Sequence, residues 1–156
     1  KDEIEDKDRI VTGWGASLSG IWQFAKNTSL CFQGVYGKGI SNYIQDISGT
    51  GLDLVPNATA GGELKAFGAW GGYIGFSHNW SKVLTSNIMY SYARVLDRYG
   101  MPTTSYKYAQ YAAANLFWDF SEYGSCAIEY VFGRRNDFNK DYGNASRINT
   151  MIQYRF

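Results

Sequence analysis

Few side chains in this chain could do bond-breaking chemistry. His78 is the single histidine, so a Ser–His–Asp arrangement would have to use it. Its neighbour Ser77 would point to the opposite face of an extended strand, and the register sets His78 among Phe76 and Trp80. A packing role is the reading for it. The carboxylates show no paired, apolar-shielded arrangement of the kind that acid–base catalysis uses. Cys31 and Cys126 lie far apart and match no metal-ligand spacing. An oxidising compartment would permit a disulfide between them, yet the simpler reading is two free packing residues. No enzyme, no metal and no cofactor are therefore expected. What remains is charge set alternately with apolar residues, and such charge selects the sign of a passing solute.

The end of the chain shows the pattern best. From Ala145 to Phe156, Ile148, Thr150, Ile152, Tyr154 and Phe156 alternate with Arg147, Asn149, Met151, Gln153 and Arg155. A strand sends successive side chains to opposite faces, so this stretch has one apolar face and one polar face. A soluble sandwich would bury the apolar face. A membrane barrel turns it to lipid and lines its lumen with the polar one. Composition agrees with many strands and interfacial aromatics: aromatics are 17%, with 13 Tyr and 18 Gly, and only 2 Pro. No apolar run approaches the roughly 18 residues of a transmembrane helix, but a barrel strand needs only about 9–11 alternating ones. The 156 residues suit one domain, and a net charge of +1 makes no electrostatic case for nucleic acid.

Read in order, Lys1–Asp8 is a charged tail without the apolar core of a signal peptide. Alternation predicts strands over 9–24, 29–39, 63–80, 83–96, 106–121 and 125–135, then the closing strand 145–156. The connections alternate too: short at 26–28, 81–82 and 122–124, longer at 40–62, 97–105 and 136–143. Outer-membrane barrels have short periplasmic turns and longer extracellular loops, which puts Phe156 at the periplasmic face. Seven strands is an odd number, and an open sheet would leave unpaired edges in lipid. Residues 1–156 are therefore expected to be a single transmembrane β-barrel region, the carboxy-terminal portion of a larger barrel. A missed strand within 51–62 or closure by other chains is the alternative.

Strand parity names the candidate residues. Arg147, Asn149 and Gln153 on the closing strand, with Glu129, Arg135, Asn115, Asp119 and Lys107 on its neighbours, are expected to line the pore. Arg147, Arg135 and Lys107 would form a basic wall that holds carboxylates briefly, since the planar Arg fork engages a carboxylate through two bonds. The plainer alternative is that Arg147 simply pairs with Glu129 across strands. The connection 40–62 either folds inward as a constriction, with Lys38, Asp46 and Asp53 at its root facing the path, or caps the barrel from outside. Trp14, Trp22, Trp70, Trp80, Trp118, Tyr154 and Phe156 read as membrane-interface girdle anchors. The small inward positions Gly13, Gly15, Ser17, Ser19, Gly71 and Ser77 cannot plug a lumen, which favours a channel over a structural or adhesive barrel without an open pore. A barrel enzyme or a soluble ligand-binding barrel is the third class.

Laid out in this way, the chain resembles the DcaP-like porins of Gram-negative outer membranes. The segments that carry the resemblance are FQGVYGKGISNYIQDISGTGLDL (32–54), WGGYIGFSHNWSKVLTSNIMYSYARV (70–95) and IEYVFGRRNDFNKDYGNASRINTMIQYRF (128–156), joined by GWGASLSG (13–20). The resemblance implies a homotrimer of sixteen-stranded antiparallel barrels in the outer membrane, of which this chain would supply about the last seven strands. It implies passive uptake of small hydrophilic, anionic, dicarboxylate-like solutes, with outer-membrane lipid or lipopolysaccharide as surroundings.

Overall fold

The computed structural model describes residues 10–57 and 63–156. The expected tail Lys1–Asp8, Arg9 of the first predicted strand and residues 58–62 of the long connection lie outside the described residues.

The described residues form nine strands: β1 (Trp14–Ala25), β2 (Thr28–Lys38), β3 (Leu54–Asn57), β4 (Glu63–Ala66), β5 (Gly68–Asn79), β6 (Leu84–Val95), β7 (Tyr106–Asp119), β8 (Gly124–Asp137) and β9 (Tyr142–Tyr154). Seven of them make one antiparallel sheet in the order β1-β2-β5-β6-β7-β8-β9, and β3 and β4 make a separate ribbon. The all-β antiparallel class expected from alternation is what forms. The sheet is open, with β1 and β9 as its edges.

The predicted strand 63–80 is two strands. The break falls at Phe67, whose N–H donates to the Asp53 carbonyl at 3.1 Å and whose carbonyl accepts from the Gly39 N–H at 2.9 Å. Those bonds tie Phe67 to the root of the long connection instead of to the ladder. The eighth strand sought within 51–62 does exist in part as β3, but it pairs with β4 and adds nothing to the main sheet.

Turn chemistry sorts the connections by side. In the tight turns at one end, the Ser81 hydroxyl accepts the Val83 N–H at 3.2 Å and the Ser121 hydroxyl accepts the Tyr123 N–H at 3.3 Å. A serine that bonds the backbone two residues on closes a tight turn without glycine. At the other end the Asn139 side-chain oxygen accepts the Asp141 N–H at 3.0 Å in the β8–β9 connection, and Lys140 takes φ 75° there. The longer connections 39–67 and 96–105 share that end.

Register is continuous across the sheet. Even-numbered residues pair with even and odd with odd in every ladder, save at bulges near Ala25 and Lys107. One face is therefore all even-numbered. It carries Leu18, Ile74, Ile88, Ile128, Ile148 and Ile152, each exposed. The odd face carries polar rows with apolar residues such as Ile21, Met89 and Val131 between them, and becomes small and apolar toward the loop end, at Gly15, Ala69, Gly71, Ala93 and Ala109. There Ile40, Ile44, Ile47, Leu52 and Phe67 pack with Ala69, Ala93, Val95 and Tyr106 in one buried cluster. Burial of a large aliphatic or aromatic side chain is worth on the order of 1.5–3 kcal/mol, so this cluster fixes the connection on the odd face. Close approach needs the glycines: a Cβ on Gly15 would lie 3.0 Å from Ile40 Cγ2, and one on Gly71 would lie 3.1 Å from Ile44 Cγ2.

Candidate functional site

The odd face presents a transverse polar row. Gln23, Ser29, Ser77, Asn87, Asn115, Glu129 and Asn149 stand opposite one another on successive strands. Part of the row is hydrogen bonded. The Asn87 amide donates to Asn115 Oδ1 at 2.7 Å, the Asn115 amide to Glu129 Oε2 at 3.4 Å, and the Asn149 amide to Glu129 Oε1 at 2.9 Å. An ionised carboxylate only accepts, so Glu129 orients the amides on both of its neighbours. The row is a polar band in which the half-buried Glu129 side chain stands between the amides of Asn115 and Asn149.

Glu129 is thus satisfied by amides, and Arg147 is not its cross-strand partner. Arg147 stands opposite Val131, two residues along from the Glu129–Asn149 pair, and is exposed. Among the described residues it makes no ion pair. Arg135 behaves differently: its Nε donates to Asp137 Oδ1 at 2.9 Å, and its guanidinium lies 5.6 Å from the Tyr106 ring centre. Lys107 is the extra residue of the β7 bulge, where Tyr106 faces Asp137 and Tyr108 faces Asn136. Its ammonium sits 5.9 Å from the Phe138 ring centre. Arg135 and Lys107 therefore gather at the loop end, and Arg147 stands alone farther down the wall. Asp119 and Gln153 flank Ser125 near the tight turns.

The long connection lies over this same face. Two 3-10 turns, Ser41–Tyr43 and Gln45–Ile47, cross it. Asp53 braces them, accepting from the Ser41 N–H at 2.7 Å and the Asn42 amide at 2.8 Å. That makes Asp53 a strut inside the loop. Asp46 is exposed and rims a cavity of about 550 Å³ between the turns and the sheet, floored by Gln33, Tyr73, Ser91 and Tyr111. These floor residues are the ones that sequence reasoning missed. Their odd register was the available signal, and only the inward fold of the loop singles them out. Lys38 is in register with Trp14 and Gly68, so it belongs to the even face and not to the loop's path. The following connection supports the cluster from above: the Tyr99 ring lies 5.4 Å from that of Phe67. Burial first, then the charge of Asp97, pushes the Tyr99 phenol above its ordinary 10.0.

On the even face the girdle residues expected from the sequence fall in two groups. Trp14 and Trp70 stand toward the loop end with Tyr36 and Tyr92, in contacts of 5.7 Å for Trp14–Tyr36 and 4.8 Å for Trp70–Tyr92. Trp22, Trp80, Trp118, Tyr154 and Phe156 stand toward the turns, all exposed. His78 is held there by Thr28 at 2.8 Å and by the edge of Trp80 at 4.5 Å, which is a packing role. No group of His, Cys, Asp and Glu among the described residues could hold a metal ion.

No protein-family model matches the chain, and no curated protein matches its sequence. A solved structure does match: the outer membrane channel DcaP of Acinetobacter baumannii, with a TM-score of 0.75 and 20% identity over 92% of this chain. The chain has the fold of part of that channel. It spans 41% of the channel's length, and the match fits the partial DcaP-like porin that the motifs resemble. At that identity the likeness is one of fold.

Proposed function

We propose that this chain is part of the wall of an outer-membrane porin, a passive diffusion channel for small hydrophilic solutes. The observation that carries the reading is the polarity of the sheet. Its exposed even face is mostly apolar and carries the girdle aromatics, and its odd face carries the transverse polar row and is overlaid by a loop. That suits lipid outside and water inside. Strands of 11 to 14 residues are long enough to cross a hydrocarbon layer at a tilt. The unpaired edges of β1 and β9 would be untenable in lipid, so further strands complete the ring. The fold shared with part of an outer membrane channel supports the same reading. In this arrangement the tight turns and Phe156 lie at the periplasmic face, and the loop over 40–53 narrows the lumen from the other side. The assembly is a homotrimer, a proposal that rests on the resemblance of the motifs.

The solutes are anionic and dicarboxylate-like. Arg147 supports this, because it projects from the polar face without an acidic partner among the described residues and offers a planar fork to a carboxylate. Glu129 opposes it, so the preference is modest. The test is the reversal potential of the full-length protein in a planar bilayer under a salt gradient. Arg147→Ala should move it toward cation preference. An unchanged potential would overturn the anion reading. Insertion without conductance would overturn the channel in favour of a structural barrel.

A further inference from the structure

The even face is apolar, yet it carries two arginines at its loop end. Arg94 stands in register between Trp70 and Tyr108, and Arg134 between Gln110 and Asn144. No acidic residue faces either one across the ladders. The Tyr92 ring stacks on both Trp70, at 4.8 Å, and Tyr108, at 5.5 Å, which makes a continuous aromatic wall beside Arg94. The Arg94 Nε is buried and has no hydrogen-bond partner. Arg134 is held from one side only: its Nε donates to Asn136 Oδ1 at 3.2 Å, and its guanidinium lies 4.2 Å from the Tyr142 ring centre. Its outer nitrogens remain available.

Adjacent strands are about 4.8 Å apart and residues about 3.3 Å apart along a strand. Arg94 and Arg134 are separated by one intervening strand and by one step from Tyr108 to Gln110. Their backbones are therefore roughly 12 Å apart, within joint reach of one phosphorylated headgroup. Next to Arg94 the same face has a dent of about 830 Å³. Gly34 and Gly72, paired across β2 and β5, form its floor, and Leu18, Trp70, Ile74 and Tyr92 are among its walls. A cation pair at the interface beside an apolar dent is complementary to one kind of molecule: an anionic headgroup with an acyl chain attached.

We propose that Arg94 and Arg134 clamp a phosphate of a lipopolysaccharide-type lipid whose acyl chain lies in the dent over Gly34 and Gly72. The site rests on the membrane reading given above, and it places the loop end of the sheet in the leaflet that holds such lipids. Arg suits the role because its fork binds phosphate in two-point contacts. Aromatic side chains at the same level hold the lipid–water boundary.

The experiment measures binding of lipid A, with both phosphates present or removed, to the full-length protein in detergent by native mass spectrometry. Arg94→Gln with Arg134→Gln should weaken binding of the phosphorylated lipid about tenfold or more. Binding of the dephosphorylated lipid should not change. Gly34→Leu is the second variant, because a Cβ on Gly34 meets nothing within 4 Å and the side chain can fill the dent without moving the backbone. It should weaken both lipids. Equal affinity for phosphorylated lipid A in wild type and the Arg variant would overturn the site. So would a Gly34→Leu protein that separates into monomers with its lipid affinity intact, since a second copy would then occupy the dent. Bilayer conductance, read in parallel, separates the two proposals: conductance with no lipid preference sinks the site alone, and its loss from wild type sinks the channel.

Discussion

Ile47→Ala tests whether the connection over 40–53 is an anchored constriction. Ile47 is fully buried, at 0% exposure, in the cluster that joins the two 3-10 turns to Phe67, Ala69 and Val95. Truncating a buried isoleucine to alanine costs about 2–5 kcal/mol, because the transfer energy is lost and a cavity is left. The main sheet does not need this side chain: its ladders run from β1 to β9 without the loop. The cost therefore falls on the loop's own opening equilibrium. At about 1.4 kcal/mol per factor of ten, even the lower figure of about 2 kcal/mol raises the open population roughly 30-fold. Hydrogen exchange reads this directly. The Ile44, Ile47 and Thr50 amides, which donate to Ser41, Ile44 and Ile47, should lose protection by at least that factor. Amides in the β7–β8 ladder should keep theirs. Single-channel conductance should rise as the loop leaves the wall. Unchanged protection of residues 44–50 would refute the anchoring. Protection lost equally across β7 and β8 would refute the idea that the loop opens as a unit.

Two further predictions test the faces and the backbone. Cys31 lies on the odd face and Cys126 on the even face, and both thiols are free, so a charged, membrane-impermeant thiol reagent should modify Cys31 in bilayer-embedded protein and leave Cys126 unmodified; the reverse pattern would invert the assignment of lumen and lipid. Gly72→Ala would set a Cβ 2.5 Å from the Gln33 carbonyl oxygen, whereas Gly34→Ala meets nothing within 4 Å. The first should lower the temperature at which the folded band is lost in heat-modifiable gel migration, and the second should leave it unchanged.

The alternation at the chain's end was legible because a period of two is a local property of extended backbone. Ile148, Ile152 and Tyr154 follow it without reference to any other strand, and the observed register keeps them on the exposed even face. The segregation of short and long connections was legible for the same reason, since Ser81 and Ser121 close their turns with their own hydroxyls.

Other features required contacts between residues far apart in sequence. Phe67 reads as one more residue of a long strand, and only its bonds to Gly39 and Asp53 break that strand in two. Lys107 reads as a lumen residue by parity. The bulge at the start of β7 turns Tyr106 into the buried cluster, where its hydroxyl donates to the Ala93 carbonyl at 3.1 Å, and sets Lys107 beside Phe138. Asp53 looks like an exposed loop carboxylate until it is seen bracing Ser41 and Asn42. Glu129 reads as a cross-strand partner for Arg147, and the lateral register instead gives it the amides of Asn115 and Asn149. Thus the sequence by itself determined the alternation and the faces wherever a strand runs without a break or bulge. The tertiary structure decided where the long loop lies, because that depends on whether small residues from several strands meet at one end of one face.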